Sequence, residues 1–168
     1  KLYLDKDQFY RSIDLTHISS SNLEYLFLPY NLLTGSIDLS HLPQSLRTLH
    51  LNNNRFHSEI KGLDHLPSKM SSLHLSHNQF NGTITLSQIP SSLEALYLDD
   101  NKLNGLFNLS LIPTTLREIS LLNNEFTFTG QVPNGIRGDG WLYPNYHYTI
   151  DNNINDTQKR SLPIYGII

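Results

Sequence analysis

The chain has 168 residues, a formal net charge of −3 and no cysteine. Its charges of both signs are scattered, which argues against binding to nucleic acid or another polyanion. The lack of cysteine excludes disulfides, thiolate metal sites and cysteine nucleophiles. No apolar run approaches the roughly 18 residues needed to cross a bilayer, so we expect no membrane insertion in this segment.

A nine-residue pattern, L-x-x-L-x-L-x-x-N, recurs along most of the chain. It occupies residues 23–31, 46–54, 70–78, 93–101 and 116–124, and residues 2–7 match its second half. Its last position is held by residues spaced 23 or 24 apart: Asp7, Asn31, Asn54, Asn78, Asn101 and Asn124. Self-similarity at such a fixed period predicts a solenoid, in which each coil buries its apolar face against its neighbours.

The first half of each repeat predicts a short strand. In the coil that begins at Leu23, Leu26 and Leu28 alternate with Tyr25 and Phe27. This period of two points the leucines inward and the residues between them outward.

The second half of each repeat carries a glycine, a second alternation and a closing proline. Alternation at 37–39, 84–86 and 107–109 predicts a second short strand, and the prolines disfavour a long helix. Gly35, Gly82 and Gly105 suit a turn that needs a permissive backbone. The coil between Phe56 and Pro67 has one extra residue near Gly62, where we expect a local bulge.

Residues 2 to about 130 resemble the leucine-rich repeat family, in the glycine-containing form of plant receptor ectodomains and many protist proteins. The plant form usually has proline directly after the isoleucine, where this chain has Asp38, Thr85 and Asn108. The resemblance implies a right-handed α/β-type solenoid that is mostly β and turn. A parallel sheet would line its concave face, with second short strands and little helix elsewhere.

Two parts follow from the repeat boundaries. Residues 1–130 would form the solenoid of about six coils, the first incomplete, and we expect further residues to precede Lys1. Residues 131–168, where the repeat dissolves, would form an irregular last coil and a C-terminal cap.

In this family the residue that closes the pattern turns the chain, and its side-chain amide bonds to the backbone of the bend. The six residues Asp7, Asn31, Asn54, Asn78, Asn101 and Asn124 are therefore expected to form a structural ladder, because buried amides need such partners. Asp7 would be a weaker rung, since an ionised carboxylate accepts hydrogen bonds and cannot donate them.

The outward positions of the first strands form columns across the coils. One column is aromatic or imidazole in five of six coils, and a contiguous stripe of that kind suggests a contact surface. The alternative is that such residues favour strands and stack on one another. The predicted partner-binding residues are Tyr3, Tyr25, Phe27, Tyr30, His50, His74, His77, Tyr97 and Asp99.

Other chemistry finds less support in the sequence. His50, His74 and His77 with Asp99 or Asp100 are acceptable zinc ligands, but no ligand spacing signature accompanies them, so we assign no metal and no cofactor. The sequence has no G-x-S-x-G, H-E-x-x-H or phosphate-binding glycine loop, and we predict no catalytic residue. Glycosylation sequons begin at Asn81, Asn108 and Asn155 and matter only if the chain is secreted.

These features predict a protein–protein interaction module that binds its partner through the concave strand face. One alternative is an architectural subunit built permanently into a larger assembly. Another is a glycosylated ectodomain of a receptor or surface protein.

Overall fold

The structure is a computed structural model and describes residues 1–5, 8–18 and 22–130. One strand from each coil joins a six-stranded parallel sheet, called here the first sheet, in the order β1-β3-β5-β7-β9-β11. Its strands are β1 (Leu2–Tyr3), β3 (Tyr25–Phe27), β5 (Thr48–His50), β7 (Ser72–His74), β9 (Ala95–Tyr97) and β11 (Glu118–Ser120).

A second parallel sheet of six strands, called the second sheet, runs in the order β12-β10-β8-β6-β4-β2. Its strands are β2 (Tyr10–Arg11), β4 (Leu32–Gly35), β6 (Arg55–Glu59), β8 (Gln79–Gly82), β10 (Lys102–Asn108) and β12 (Glu125–Thr129). The helical content of the described residues is three short 3₁₀ turns, at Thr16–Ile18, Leu63–His65 and Leu109–Leu111. The predicted leucine-rich repeat solenoid, mostly strand and turn with little helix, is confirmed.

The core lies between the two sheets and consists of equivalent residues stacked coil upon coil. In the first sheet Leu26 pairs with Leu49, Leu49 with Leu73, and Leu73 with Leu96. All four are 3% exposed or less. The inward-facing leucines of the predicted alternation therefore form a continuous hydrophobic core that stabilises the stack.

In two of the three coils with a predicted second strand, the strand lies earlier than the alternation predicted, whereas β10 extends into the predicted segment at 107–109. The earlier strands, β4 and β8, begin just after the bend, whereas around Ile37 and Leu39 only an isolated bridge between Asp38 and Lys61 forms. Ile37 and Leu39 are nevertheless fully buried. Alternation here reports which side chains enter the core, and backbone pairing need not follow it.

Each anchor asparagine, meaning Asn31, Asn54, Asn78, Asn101 or Asn124, bonds to its own bend and to the preceding coil. Asn78 Nδ2 donates to the carbonyl oxygens of Leu75 (3.1 Å), Ser76 (3.2 Å) and Leu51 of the preceding coil (3.0 Å). Its Oδ1 accepts the backbone N–H of Phe56, also in the preceding coil, at 3.1 Å.

The same four bonds recur at Asn31, Asn54, Asn101 and Asn124. Asp7, the predicted first rung, lies outside the described residues, as do the predicted last coil and cap at 131–168.

Gly62 sits where one coil has its extra residue. Its φ is +78°, and a Cβ added there would lie 2.3 Å from the backbone nitrogen of Ser40 in the preceding coil. Ile60 and Leu63 are both buried on either side of the insertion. The glycine therefore lets the longer coil keep its core residues in place while its backbone contacts the neighbouring coil.

We expect Asn78→Asp to lower the free energy of unfolding by about 3 kcal/mol, because a carboxylate would face three carbonyl oxygens with no proton to donate. Urea denaturation followed by circular dichroism measures the change. Asn53→Asp makes the same charge change on a half-buried residue and should cost within about 0.5 kcal/mol. Equal losses in the two variants would contradict the role of the anchor amide.

Gly62→Ala should destabilise the protein by about 2 kcal/mol or more, because the methyl group collides with backbone atoms that cannot move aside. Ser58 provides the reverse test, since it has a φ of +70° at a position where Gly35, Gly82 and Gly105 also have positive φ. Ser58→Gly should therefore stabilise by about 1 kcal/mol. Thermal melts of the two variants should shift in opposite directions, and a shared direction would refute this account.

Candidate binding face on the first sheet

Five rings stand in line across the first sheet and form what we call the ring column: Tyr3, Phe27, His50, His74 and Tyr97. Tyr3 and Phe27 are stacked, with centroids 4.7 Å apart and ring planes at 11°. The next pairs along the column are separated by 4.6, 5.2 and 4.7 Å. Parallel pairing in register creates this contact, because it places each ring beside its equivalent one strand spacing away.

The rings contact one another and solvent at once. Tyr3 is 56% exposed, while Phe27, His50, His74 and Tyr97 are half-buried. Contacting ring pairs of this geometry contribute about 0.5–1.5 kcal/mol beyond their buried area. The column therefore stabilises the stack and also presents a continuous aromatic edge to solvent.

The two imidazoles within the column favour their neutral form. Burial, with a smaller contribution from His74, lowers the pKa of His50 from 6.5 to about 4. The pKa of His74 is also lowered, chiefly by burial, with Asp99 raising it and His77 lowering it further. At neutral pH the middle of the column is consequently uncharged.

Tyr97 connects the ring column to a carboxylate on the next strand. Its hydroxyl donates to Oε2 of Glu118 on the neighbouring strand β11. Burial, followed by this hydrogen bond and the charges of Glu118 and Asp99, raises the pKa of Tyr97 to about 12. The phenol therefore remains protonated and holds the Glu118 carboxylate beside its ring.

His77, Asp99 and Asp100 meet at the bends that follow β7 and β9. His77 Nδ1 lies 3.3 Å from Asp100 Oδ2, and His77 Nε2 lies 4.0 Å from Asp99 Oδ2. One potential ligand atom from each residue lies within 4.8 Å of the others. These are ligand types that a divalent cation accepts.

The remaining predicted contact residues lie at one end of the same face. Tyr25 is half-buried on β3, and Lys1 Nζ lies 4.6 Å from its ring centroid. Tyr30 is 55% exposed and has a φ of +56° in the bend before Asn31. The structure thus places all nine predicted residues on or beside the first sheet.

The sequons lie elsewhere. Asn81 is exposed on β8, and Asn108 is exposed at the end of β10, so both belong to the second sheet. Asn108 Oδ1 accepts the backbone N–H of Ser110 at 3.0 Å. Asn155 lies outside the described residues.

Sequence reasoning missed Glu118 as a member of this face and considered Asp100 only as a possible metal ligand. Glu118 occupies an outward column that starts at Lys1 and Tyr25 and has no shared chemistry along it, so its role depends on the reach of Tyr97. Asp100 directly precedes an anchor asparagine and has a positive φ. The equivalent residues of the other coils, Tyr30, Asn53, His77 and Asn123, also have positive φ. The recurrence of asparagine and aspartate at that position was the available signal, since these residues tolerate such a backbone.

Within the described residues, no helix is long and apolar enough to cross a membrane. The pattern of the family described as Leucine Rich Repeat matches residues 45–66. No curated protein matches the chain significantly by sequence.

Several solved structures with similar folds come from Arabidopsis. The BIR3–SERK2 complex is matched at 28% identity and a TM-score of 0.57, over 77% of this chain and 69% of that chain. The ectodomain of the receptor kinase SOBIR1 has a TM-score of 0.63 at 24% identity, over 79% of this chain and 72% of that one, and shows the fold alone.

A third structure is the receptor kinase HAESA in complex with the peptide hormone IDA and the co-receptor SERK1. It is matched at 26% identity and a TM-score of 0.54, over 75% of this chain and 21% of that chain. The recurring pattern, the two parallel sheets and these matches together show that the chain folds as a leucine-rich repeat solenoid, and its repeat type fits the plant-like form.

Proposed function

We propose that the chain is a recognition module that binds a protein or peptide partner through the first-sheet face. The observation that supports this most directly is the ring column, a continuous row of partly exposed rings on a rigid sheet. The contact residues are Tyr3, Tyr25, Phe27, Tyr30, His50, His74, His77, Tyr97 and Asp99.

The physical properties of the column suit binding. Aromatic side chains supply large apolar area with few rotatable bonds, so little conformational entropy is lost when a partner covers them. His50 and His74 are neutral at pH 7, so covering them does not require removing a charge from water. Backbone hydrogen bonds on both sides of each inner strand also fix the column before a partner arrives.

Similar solved structures add support of a general kind. One contains two proteins, BIR3 and SERK2, and another contains a peptide hormone and a co-receptor. We propose no enzymatic activity for this solenoid. If the sequons are glycosylated, Asn81 and Asn108 would carry their glycans on the second sheet, which would leave the first sheet open to a partner.

The variant Phe27→Ser, Tyr97→Ser should lose the partners that the parent retains in a co-purification from native extract. Its control, Tyr10→Ser, Leu106→Ser, removes two exposed residues of the second sheet, which are 68% and 74% exposed. We expect this control to retain every partner. Partners that survive the first variant in fixed stoichiometry would instead support an architectural subunit.

Loss of ring contacts will also lower stability by about 1 kcal/mol for each broken pair. A circular-dichroism melt must therefore show that the variant is folded at the temperature of the binding assay. If it is not, Tyr3→Ser serves in its place, because Tyr3 ends the column and contacts one ring within it. The double variant Tyr3→Ser, Phe27→His completes the test. If it is folded and still retains all partners, the proposal is contradicted.

Stability should decrease as pH falls from 7 to 5. The pKa of His50 is lower in the folded chain than the ordinary value of 6.5, so its contribution is complete above pH 6.5 and is lost as pH falls towards 4. We expect a loss of about 1 kcal/mol, since each pKa unit is worth roughly 1.4 kcal/mol and partial exposure reduces the effect.

Thermal melts at pH 7 and pH 5 measure this change, and His50→Phe should reduce it. The carboxylates of Asp14, Asp38 and Asp64 do not affect this comparison. Their pKa values are lowered from 3.8, so they take up protons below this pH range. His57→Gln removes an exposed imidazole of the second sheet and keeps His50, so it should behave as the parent does. An unchanged pH dependence in His50→Phe would contradict the assignment.

A further inference from the structure

We infer that the partner is an extended peptide segment that places a lysine or arginine against Asp99, Asp100 and Glu118 and an apolar side chain near Phe27. This inference rests on the proposed function and specifies the chemistry of the partner. We call the three carboxylates the acidic edge. They lie beside the last ring of the column, on the bend after β9 and on strand β11.

The acidic edge has little internal compensation. Across the described part of the chain, no lysine or arginine forms an ion pair with Asp99, Asp100 or Glu118. Arg117, an arginine on one of these two coils, pairs with Glu94 at 3.9 Å. His77 faces both aspartates, and it carries a positive charge only when protonated.

Hydrogen bonds hold the carboxylates in fixed positions. Asp99 Oδ1 accepts from Ser76 Oγ at 2.5 Å, and Asp100 Oδ1 accepts from Asn123 Nδ2 at 2.7 Å. Glu118 is held by the hydroxyl of Tyr97. The side chain of Asp99 is 19% exposed and that of Asp100 36% exposed. Water screens partly buried carboxylates less than exposed ones, so a partner cation would be attracted to them more strongly.

Tyr97 adds a second feature that favours a cation. An ammonium or guanidinium group that approaches the acidic edge also comes close to the Tyr97 ring, where a cation–π contact contributes about 0.5–2 kcal/mol. The tyrosine therefore belongs both to the apolar column and to the cationic subsite, and it fixes the position of one relative to the other.

The spacing of the column sets the length of the segment. Phe27 lies three strands from Tyr97, which is roughly 14 Å at the usual strand separation. An extended peptide spans this distance in about four residues. At the far end, Pro29 and Tyr30 follow Phe27 in the chain and are half-buried and exposed, respectively, so they add apolar surface. A basic residue and an aromatic or aliphatic residue about four positions apart would thus reach both ends of the site.

A phage-displayed library of random twelve-residue peptides, panned against the intact chain with a chelator present, tests the inference. Enriched peptides should combine a lysine or arginine with an apolar residue about four positions away. Synthetic copies should bind about tenfold more weakly to the variant Asp99→Asn, Asp100→Asn, Glu118→Gln. Binding should also weaken as ionic strength rises.

The control variant Asp14→Asn, Asp64→Asn, Glu59→Gln makes the same change in net charge at exposed sites in other coils and should bind as the parent does. Equal weakening in both variants would indicate a net-charge effect and overturn the inference.

The remaining outcomes separate the inference from the proposed function. Enriched peptides without basic residues, or peptides that the acidic-edge variant binds as well as the parent, would overturn the inference and leave binding by the first-sheet face intact. Failure to enrich any peptide would overturn the inference that the partner is an extended segment. The co-purification would still decide whether the face binds a folded protein. Peptides retained by the Phe27→Ser, Tyr97→Ser variant would count against the proposed function itself.

Discussion

The side-chain amide of the anchor asparagine is the interaction on which the stack depends. Its nitrogen satisfies two carbonyl groups of its own bend and one of the preceding coil, and its oxygen accepts an N–H of that preceding coil. Leucines provide most of the burial, but burial alone does not fix where one coil sits on the next. The directional bonds of the amide set that position, and the columns of the first sheet exist because every coil repeats it.

The ring column illustrates how one arrangement supplies both stability and a surface. Because equivalent residues pair in register, each ring lies beside the next at 4.6–5.2 Å. The structural reading of the column, in which the rings stabilise one another, is therefore compatible with a binding role. Rings that are already in contact need little further ordering when a partner covers their exposed edges. Their partial burial also keeps the two histidines neutral, so the apolar character of the column is a product of its packing.

The sequence predicted features that repeat and missed those that occur once. The inward leucines and the placement of Tyr3, Phe27, His50, His74 and Tyr97 on one face follow from the period and the alternation. The parallel first sheet was implied by the resemblance to leucine-rich repeats. The second strands of two coils were placed too late, because buried residues such as Ile37 and Leu39 alternate where backbone pairing is limited to an isolated bridge. Contacts made by single side chains, such as Tyr97 to Glu118, have no counterpart in other coils and leave no repeated signal.

Regular stacking and local variation therefore have separate consequences for this face. The repeat provides a rigid lattice with a spacing of one strand, and it allows any outward residue to change at little cost to the core. Neutral rings occupy the middle of the lattice, and carboxylates gather where Asp99, Asp100 and Glu118 occupy adjacent bends and strands. Since a charge in one coil lies within about 5 Å of the equivalent position in the next, a few substitutions suffice to build an electrostatic subsite. The specificity of the surface then depends on the order of side chains across the coils. Because the stack has the same geometry from coil to coil, that order sets fixed distances between the side chains that a partner must match.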